Sequence, residues 1–444
     1  MIEKDVIAAR DAFEPTGASE ALIDTRARGG FLALLGLGGI PNRAWKVTLL
    51  SLGGLLLVSA DGSLFNFTYP LLQKDLGITD NEIGAIYTIL FAVGAISSFI
   101  AGPMMDRIGR KPVYQACLFA AAFGSVLTAV VPGFLVLIIA RSITQIGAST
   151  EWMSGQVMVA EEAPAKVRGR LIGLSQVGYP LGYFVGALLS MAIVDHFGWR
   201  VLFVCGLLPI ILMIFARRGV EDTARFQEEM KVEKAHTELR RNHFAQLFEG
   251  DLRRSSICLL IWHFTYAFGA AGIISYLPTV YGHFNISLNN MFASSAIATG
   301  LAAFGYILAA WLGEKYGRRE VCAAFLVLGA IAGALLAFYA NTWALLTVFY
   351  ALFYFFTLGH ITSAVGFAAE VYPTRVRGTG SNLVAGAEWT GFVIAAMTGP
   401  WLLHNAGYTT ALMMWCVIGP LVAAVAAMCM KRIAPQTVLE EIHR

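Results

Sequence analysis

Twelve long apolar runs are the feature that most limits what this chain can fold into. A helix needs about 20 apolar residues to cross the core of a bilayer, and only helices and closed barrels satisfy their backbone hydrogen bonds there. The runs lack the strict alternation of barrel strands. They predict an all-α membrane protein with twelve transmembrane helices, near residues 45–72, 83–104, 113–131, 134–160, 170–194, 199–217, 255–282, 290–313, 320–340, 343–369, 379–403 and 409–430.

The composition excludes several classes of protein. Of the 444 residues 57% are hydrophobic and only 14% are charged, whereas about a quarter of a soluble domain is charged. A soluble enzyme or a disordered scaffold is therefore excluded, and a net charge of +3 gives too little basic surface for a nucleic-acid partner. The six cysteines fall in apolar runs without metal-ligand spacing, so we expect no disulfide framework and no metal site.

The basic residues predict the orientation in the membrane. If both termini are cytoplasmic, all but three of the 32 Lys and Arg residues lie in cytoplasmic segments. The exceptions are Lys74 and Arg200 on the outer side and Arg141 within the fourth run. This bias is the one that the positive-inside rule describes. We therefore predict a multi-pass protein of the plasma (inner) membrane.

Charged segments divide the chain into five parts. The N-terminal stretch is no cleavable signal, because its only apolar segment is short and comes late. We predict a cytoplasmic tail at 1–44, a six-helix bundle at 45–217, a cytoplasmic linker at 218–254, a second six-helix bundle at 255–430 and a cytoplasmic tail at 431–444.

Two motifs recur at nearly the same distance along the chain. Residues 102–111 read GPMMDRIGRK and residues 312–319 read LGEKYGRR, so that acid, base, any residue, glycine, base, base recurs at an offset of 208. Residues 161–169 (EEAPAKVRG) match residues 370–378 (EVYPTRVRG) at an offset of 209. Two unrelated motifs at one offset indicate a duplication, and parallel halves with a site between them are typical of transporters.

The first of these loops, its echo in the second half and the segment RSITQIG at 141–147 resemble the signature of the major facilitator superfamily. The resemblance covers nearly all of the chain from about residue 45. Residues 221–226 (EDTARF) resemble a degraded sugar-porter motif. The resemblance implies two pseudo-symmetric six-helix bundles that perform secondary transport by alternating access.

The repeated motifs predict gating residues where helices meet the cytoplasm. Acids and bases at neighbouring helix ends can form ion pairs that hold one conformation closed. Each exposed pair is worth about 0–1 kcal/mol, but a two-state protein needs only a few kcal/mol of bias. The alternative is that these charges only fix the topology. The predicted gating residues are Asp106, Arg110, Glu151, Glu161, Arg168, Glu314, Arg318, Glu370 and Arg377.

Four ionisable residues fall inside spanning runs, where charge is costly and usually functional. Asp61 and Arg141 both lie in the outer half of their runs, and they resemble the first-helix and fourth-helix pair of proton-coupled symporters. If their contact forms in one state and opens in the other, the proton affinity of Asp61 changes with conformation. We therefore predict a proton-coupling pair. The alternative is a static buried ion pair.

Glu151 and Glu388 are the other two intramembrane acids. Glu151 precedes Trp152 in a segment that resembles the GGEW segment of metabolite symporters, with gating, packing and coupling all open. Glu388 lies near the midplane and is a departure from related symporters. It can bind a cationic group or a second proton, or pair with His263 or His360.

Aromatic clusters in the seventh and tenth runs favour a flat or partly apolar metabolite, such as an aromatic or short organic acid. The glutamines and asparagine of hexose porters are missing from the seventh run, which argues against a hexose. A sugar or polyol symporter, a facilitator and a drug or metabolite exporter stay as alternatives. The candidate substrate-binding residues are Gln145, Gln176, Trp262, His263, Tyr266, Tyr354, His360 and Glu388.

No nucleophile or metal motif of a membrane enzyme is present, so we expect a transporter and not an enzyme. No cofactor is expected, because a proton gradient supplies the energy. The expected partners are a small-molecule substrate, protons and the lipid bilayer, and the chain is expected to work as a monomer.

Overall fold

The computed structural model describes residues 40–164, 167–207, 243–250 and 252–433, and these residues are almost entirely helical. The N-terminal tail up to residue 39, the EDTARF segment with most of the linker, and the end of the C-terminal tail lie outside the described residues. The sixth predicted span is described only as far as Leu207.

The first half contains the helices of five complete spans and the start of a sixth. The fifth span is divided at Val177 into two helical segments. The helices are α1 Asn42–Leu76, α2 Asp80–Ile108, α3 Arg110–Ala129, α4 Phe134–Glu162, α5 Arg168–Gln176, α6 Gly178–Phe197 and α7 Trp199–Val204.

The second half repeats this order after a short helix. Its last span is interrupted by one π-helical turn at Met414–Ile418, and a second π turn at Leu402–Ala406 extends the span before it. The helices are α8 His243–Gln246, α9 Leu252–His283, α10 Leu288–Tyr316, α11 Arg318–Tyr339, α12 Trp343–Val371, α13 Thr374–Trp401, α14 Tyr408–Met413 and α15 Gly419–Met428.

Among the described residues, 9 spans are long and apolar enough to cross a membrane. Helices α4 and α13 are outside that set. Both carry charged and amide side chains along their length, which lowers their mean hydropathy. Ionisable residues inside a membrane cost free energy and usually have a function. The polar residues of α4 and α13 therefore make these two helices candidates for the functional site. The prediction of an all-α membrane protein is confirmed.

The duplication is visible in the local backbone. Gly109 separates α2 from α3 with φ 105°, and Gly317 separates α10 from α11 with φ 108°. Both glycines occupy a region of positive φ that side chains with a Cβ rarely adopt. The repeated motif therefore encodes the same tight turn twice, and in each half this turn fixes where the next helix begins.

The two halves pack against each other along two helix pairs. Helix α2 lies along α13, and α5 and α6 lie along α10. The approach is close at Gly102, where an added Cβ would come within 3.0 Å of the Gly378 carbonyl oxygen and of the Thr379 Cα. Small residues permit such backbone contact between membrane helices. This contact closes the molecule at the end where the repeated motifs lie, which we call the motif end.

Replacing Gly109 with Ala is expected to destabilise the protein by about 1–3 kcal/mol, because the backbone region that Gly109 occupies is strained for any L side chain. Thermal unfolding of the detergent-solubilised protein measures the effect. Gly84→Ala is the matched control, since a Cβ there meets nothing within 4 Å. Equal unfolding temperatures for the two variants would show that this turn is not strained.

Candidate functional site

A cavity of about 140 Å³ lies between the two halves. A cavity of roughly 150 Å³ is enough to hold one aromatic ring. Both halves contribute to its walls. Arg141, Gln145 and Trp152 project from α4 of the first half, and Glu388 and Trp389 project from α13 of the second half. Arg141 and Glu388, which lie on helices of opposite halves, therefore line the same chamber.

Asp61 and Arg141, which the sequence analysis paired, are in contact. The Arg141 Nη1 atom donates to the Asp61 Oδ2 atom at 2.8 Å, and both side chains are buried. The Ser125 hydroxyl donates to the other oxygen, Oδ1. Asp61 is thus held between α1, α3 and α4. The guanidinium and the hydroxyl together satisfy both oxygens of this buried carboxylate.

The guanidinium of Arg141 is open to the cavity. Its carbon lies 4.8 Å from the centre of the Phe65 ring and 5.5 Å from that of Phe203, so aromatic faces stabilise the cation. Among the described residues only the Nη1 atom of Arg141 has a hydrogen-bond partner, which is Asp61, and the buried Nε atom has none. Arg141 therefore has donor capacity for an anion that enters the cavity.

Four of the eight predicted substrate-binding residues line the cavity: Gln145, Gln176, Tyr266 and Glu388. The Gln176 Oε1 atom accepts a hydrogen bond from Trp152 Nε1 at 3.1 Å, and its amide nitrogen has no partner among the described residues. The Gln145 amide nitrogen is likewise buried without one. Both amide N–H groups can therefore donate hydrogen bonds to a ligand in the cavity.

The other four predicted substrate-binding residues are buried but are not among the cavity-lining residues. His263 bonds to Glu388, with 3.0 Å between Nδ1 and Oε2. His360 stacks on Trp262 and meets the edge of the Tyr266 ring, and its Nδ1 bonds to the Thr357 carbonyl oxygen. Tyr354 packs on Tyr350 with ring centres 4.4 Å apart. They support the cavity wall from behind.

Several cavity residues were not predicted from the sequence. Asn66 donates to the Tyr183 hydroxyl at 3.0 Å and accepts from the Tyr87 hydroxyl at 2.9 Å, which links α1, α2 and α6. Tyr306 and Trp389 also line the chamber. The features of the sequence that could have pointed to this part of the cavity are the tyrosines of residues 176–183 (QVGYPLGY) and the position of Trp389 next to Glu388.

Glu151 lies away from the other gating candidates. It is fully buried between α1, α3 and α4, where the Tyr114 side chain lies beside it near Gly54. The Tyr114 hydroxyl donates to the Leu50 carbonyl oxygen at 2.9 Å. Neither Glu151 oxygen has a hydrogen bond of regular geometry within the described residues. Gating through an ion pair is thus not the arrangement in this conformation.

The remaining gating candidates form a network at the motif end. Within the first half, Arg110 contacts Glu161 at 3.1 Å and Asp106 at 3.3 Å. Within the second half, Arg318 contacts Glu370 at 2.9 Å. The Arg110–Glu161 and Arg318–Glu370 pairs occupy equivalent positions of the duplication, so the two halves build the same ion pair.

The network also crosses between the halves, and the crossing contacts repeat too. Arg377 reaches Glu161 at 3.5 Å, and the equivalent Arg168 reaches Glu370 at 3.6 Å.

Two further acids bind backbone of the opposite half. Asp106 accepts from the Thr379 N–H at 2.7 Å and from the Gly378 N–H at 3.1 Å. In the second half the corresponding acid is Glu314, which accepts from the Arg170 N–H at 2.9 Å. We call the ion pairs within and between the halves, together with these two acid–backbone contacts, the latch.

The latch corrects one assumption of the sequence analysis. Its pairs were treated as exposed, but the Arg110, Arg168 and Arg377 side chains are 1%, 1% and 0% exposed. Burial makes the loss of one partner expensive, because a charge is then left in a medium of low polarity. The latch therefore holds the halves together more firmly than surface ion pairs would.

The sequence matches the family described as Major Facilitator Superfamily over residues 51–311 and 259–442. It is 28% identical over 414 residues to the niacin transporter NiaP of Acinetobacter baylyi, covering 87% of this chain and 94% of that protein. It is 24% identical over 437 residues to the 4-hydroxybenzoate transporter PcaK of the same species, covering 91% and 94%.

Among solved structures, the proton:xylose symporter XylE bound to 6-bromo-6-deoxy-D-glucose superposes with a TM-score of 0.72 at 17% identity. The match covers 90% of this chain and 98% of that chain. Together with the family match, this confirms the predicted fold of twelve helices in two pseudo-symmetric six-helix bundles.

Glu161→Gln is expected to lower the free energy of unfolding by about 3–5 kcal/mol, because it removes the negative charge between two buried guanidinium groups. Asp75→Asn is the matched control. Asp75 pairs with Arg200 at 3.1 Å on the surface, so its loss is expected to cost about 0–1 kcal/mol. Unfolding of both variants in one detergent compares the costs, and similar values would contradict a latch strengthened by burial.

Proposed function

This chain belongs to the major facilitator superfamily and is a transporter, and from that premise we propose that it couples the uptake of a small organic acid to the entry of protons. Aromatic acids are the favoured substrates. The observation that carries the proposal is the position of Arg141, which lines the cavity between the halves while it contacts the buried Asp61.

The aromatic acid is inferred from the cavity. Flat aromatic rings line the chamber, among them those of Tyr87, Tyr179, Tyr183, Tyr266 and Trp389. Arg141 supplies a cation for a carboxylate. Stacking on aromatic side chains and a charge-assisted hydrogen bond suit a ring that carries an acid group. Two relatives are named for niacin and for 4-hydroxybenzoate, both of which are aromatic carboxylic acids.

The proposed coupling is a competition for Arg141. Without substrate, the guanidinium neutralises Asp61. A substrate carboxylate that binds Arg141 replaces Asp61 as the counter-ion of the guanidinium. Asp61 is then left in a buried site with less compensation for its charge. Such a carboxylate binds a proton more readily. One proton and one anion then cross together, so the moving half carries no added net charge through the bilayer.

The latch supplies the alternating-access step of the proposal. We place the motif end on the cytoplasmic side, because that orientation puts nearly all Lys and Arg residues inside. Both termini are then cytoplasmic. In the described conformation the latch joins the halves across this end. Opening to the cytoplasm requires its contacts to break, and binding of substrate and proton supplies the bias.

Uptake into proteoliposomes tests the proposal. With an acidic exterior, radiolabelled nicotinate or 4-hydroxybenzoate is expected to accumulate above its external concentration, and a protonophore is expected to abolish the accumulation. A facilitator would equilibrate the acid without accumulating it. Accumulation of a pentose or a polyol in place of both acids would contradict the substrate class, and proton-driven efflux would identify an exporter.

Asp61→Asn is expected to abolish accumulation driven by a pH gradient, because the amide cannot take up a proton. Exchange of labelled for unlabelled substrate is expected to continue, since Arg141 stays available to the carboxylate. The surface variant Asp75→Asn serves as the control and is expected to accumulate substrate normally. Undiminished uphill uptake by Asp61→Asn would eliminate this residue as the coupling site.

A further inference from the structure

Glu388 places a second charged group in the cavity wall, on the half opposite Arg141. The side chain is 6% exposed and lines the chamber. Its Oε2 atom is held by His263 Nδ1 at 3.0 Å. The described residues provide no partner for Oε1, the second oxygen. Glu388 therefore has one oxygen fixed by the protein and one acceptor left for a ligand.

The surroundings of Glu388 leave its second oxygen available to a hydrogen-bond donor. The tyrosines Tyr266 and Tyr306 lie close enough to interact electrostatically with Glu388. No Lys or Arg of the described residues pairs with it. The hydrogen-bond partner of Glu388 among the described residues is His263, whose second nitrogen, Nε2, is buried and lacks a partner in that part of the chain. A ligand that places a donor-free, apolar group against the second Glu388 oxygen would leave that oxygen without a hydrogen bond.

Gln145 and Trp389 bring the two halves close together beside the cavity. Gln145 follows Arg141 by one helical turn, ~6 Å along the α4 axis. Across the halves Gln145 is close to Trp389, because a Cβ built on Gly94 would come within 2.9 Å of the Gln145 amide nitrogen and 3.0 Å of the Trp389 ring. Trp389 directly follows Glu388 in α13.

Aromatic side chains fill the space around this passage. Phe91 lies 6.0 Å from Trp389 and 5.2 Å from Phe392, measured between ring centres. The cavity is therefore lined by one charged residue from each half, Arg141 and Glu388, and by aromatic rings. A ligand that matches it has a carboxylate at one end, a flat middle and a polar group at the other end.

We propose that Glu388, held in place by His263, recognises a hydrogen-bond donor on the substrate ring at the end away from the carboxylate. The chemical class is an aromatic acid with a phenolic O–H, an amino group or a protonated ring nitrogen. The inference rests on the proposed function, since it takes for granted that Arg141 binds the carboxylate. Acids that lack the donor are rejected because they bury the Glu388 oxygen without a partner.

His263 is a positioning residue in this proposal. It does not line the cavity, and its contact with Oε2 limits the rotation of the Glu388 carboxyl group. Replacing His263 therefore changes the selectivity for the donor and leaves the affinity for the unsubstituted acid unchanged. A residue with a merely structural role would change both affinities together.

Isothermal titration calorimetry of the purified full-length protein tests the proposal with three probes: 4-hydroxybenzoate, 4-methoxybenzoate and benzoate. The wild type is expected to bind 4-hydroxybenzoate ~10-fold or more tightly than either of the others. In Glu388→Leu this preference is expected to fall below ~3-fold, because 4-hydroxybenzoate loses its acceptor while benzoate no longer buries an unpaired oxygen, and in Glu388→Gln it is expected to be intermediate.

Two further variants separate selectivity from general damage. His263→Gln is expected to reduce the preference for the hydroxyl group and to leave benzoate affinity unchanged. Gln145 lines the same cavity, and Gln145→Leu is expected to weaken the binding of all three acids by the same factor.

A wild-type preference below ~3-fold overturns the inference, whether or not the variants fold, as does an undiminished preference in Glu388→Leu. In those outcomes benzoate still binds, so the proposed function stands. If none of the three acids binds the wild type, the proposed function fails and this inference fails with it.

Discussion

The free-energy cost of placing charge in an apolar medium determines how the rest of this structure is arranged. Among the described residues, acids inside the helices are found where a partner from another helix reaches them: Asp61 with Arg141, and Glu388 with His263. Each pair joins helices that an apolar contact alone would leave free to slide. Glu151 is different, because it is buried beside Tyr114 and no cation of the described residues pairs with it.

The latch shows how a duplication becomes a device with two equivalent parts. Each half supplies an ion pair of its own and an acid that binds backbone N–H groups of the other half. The motif glycines Gly169 and Gly378 are required where these acids approach, because an added Cβ would collide with the carboxylates. Equivalent contacts from both halves thus join them at the motif end, which is the arrangement that the proposed alternating-access step requires.

The cavity, by contrast, is not symmetric. The Asp61–Arg141 pair has no counterpart in the second half, since the positions 209 residues later, 270 and 350, are Ala and Tyr. The second half contributes Glu388 and its supporting histidine in a different place. A symmetric shell of latch contacts thus surrounds an asymmetric chamber. This division is expected when motion is shared by both halves but the substrate has two chemically different ends.

The helical spans and the duplication could be predicted from the sequence, because hydropathy and motif spacing are local properties of the chain. The Asp61–Arg141 contact was predicted from the cost of intramembrane charge together with the resemblance to proton-coupled symporters. Tertiary structure alone decided which polar and aromatic residues reach the cavity. Helices α9 and α12 are aromatic on several faces, so their sequences did not show that Tyr266 lines the chamber while Tyr354 and His360 stand behind it. The rotation of each helix is set by its neighbours in space, and those contacts are distant in sequence.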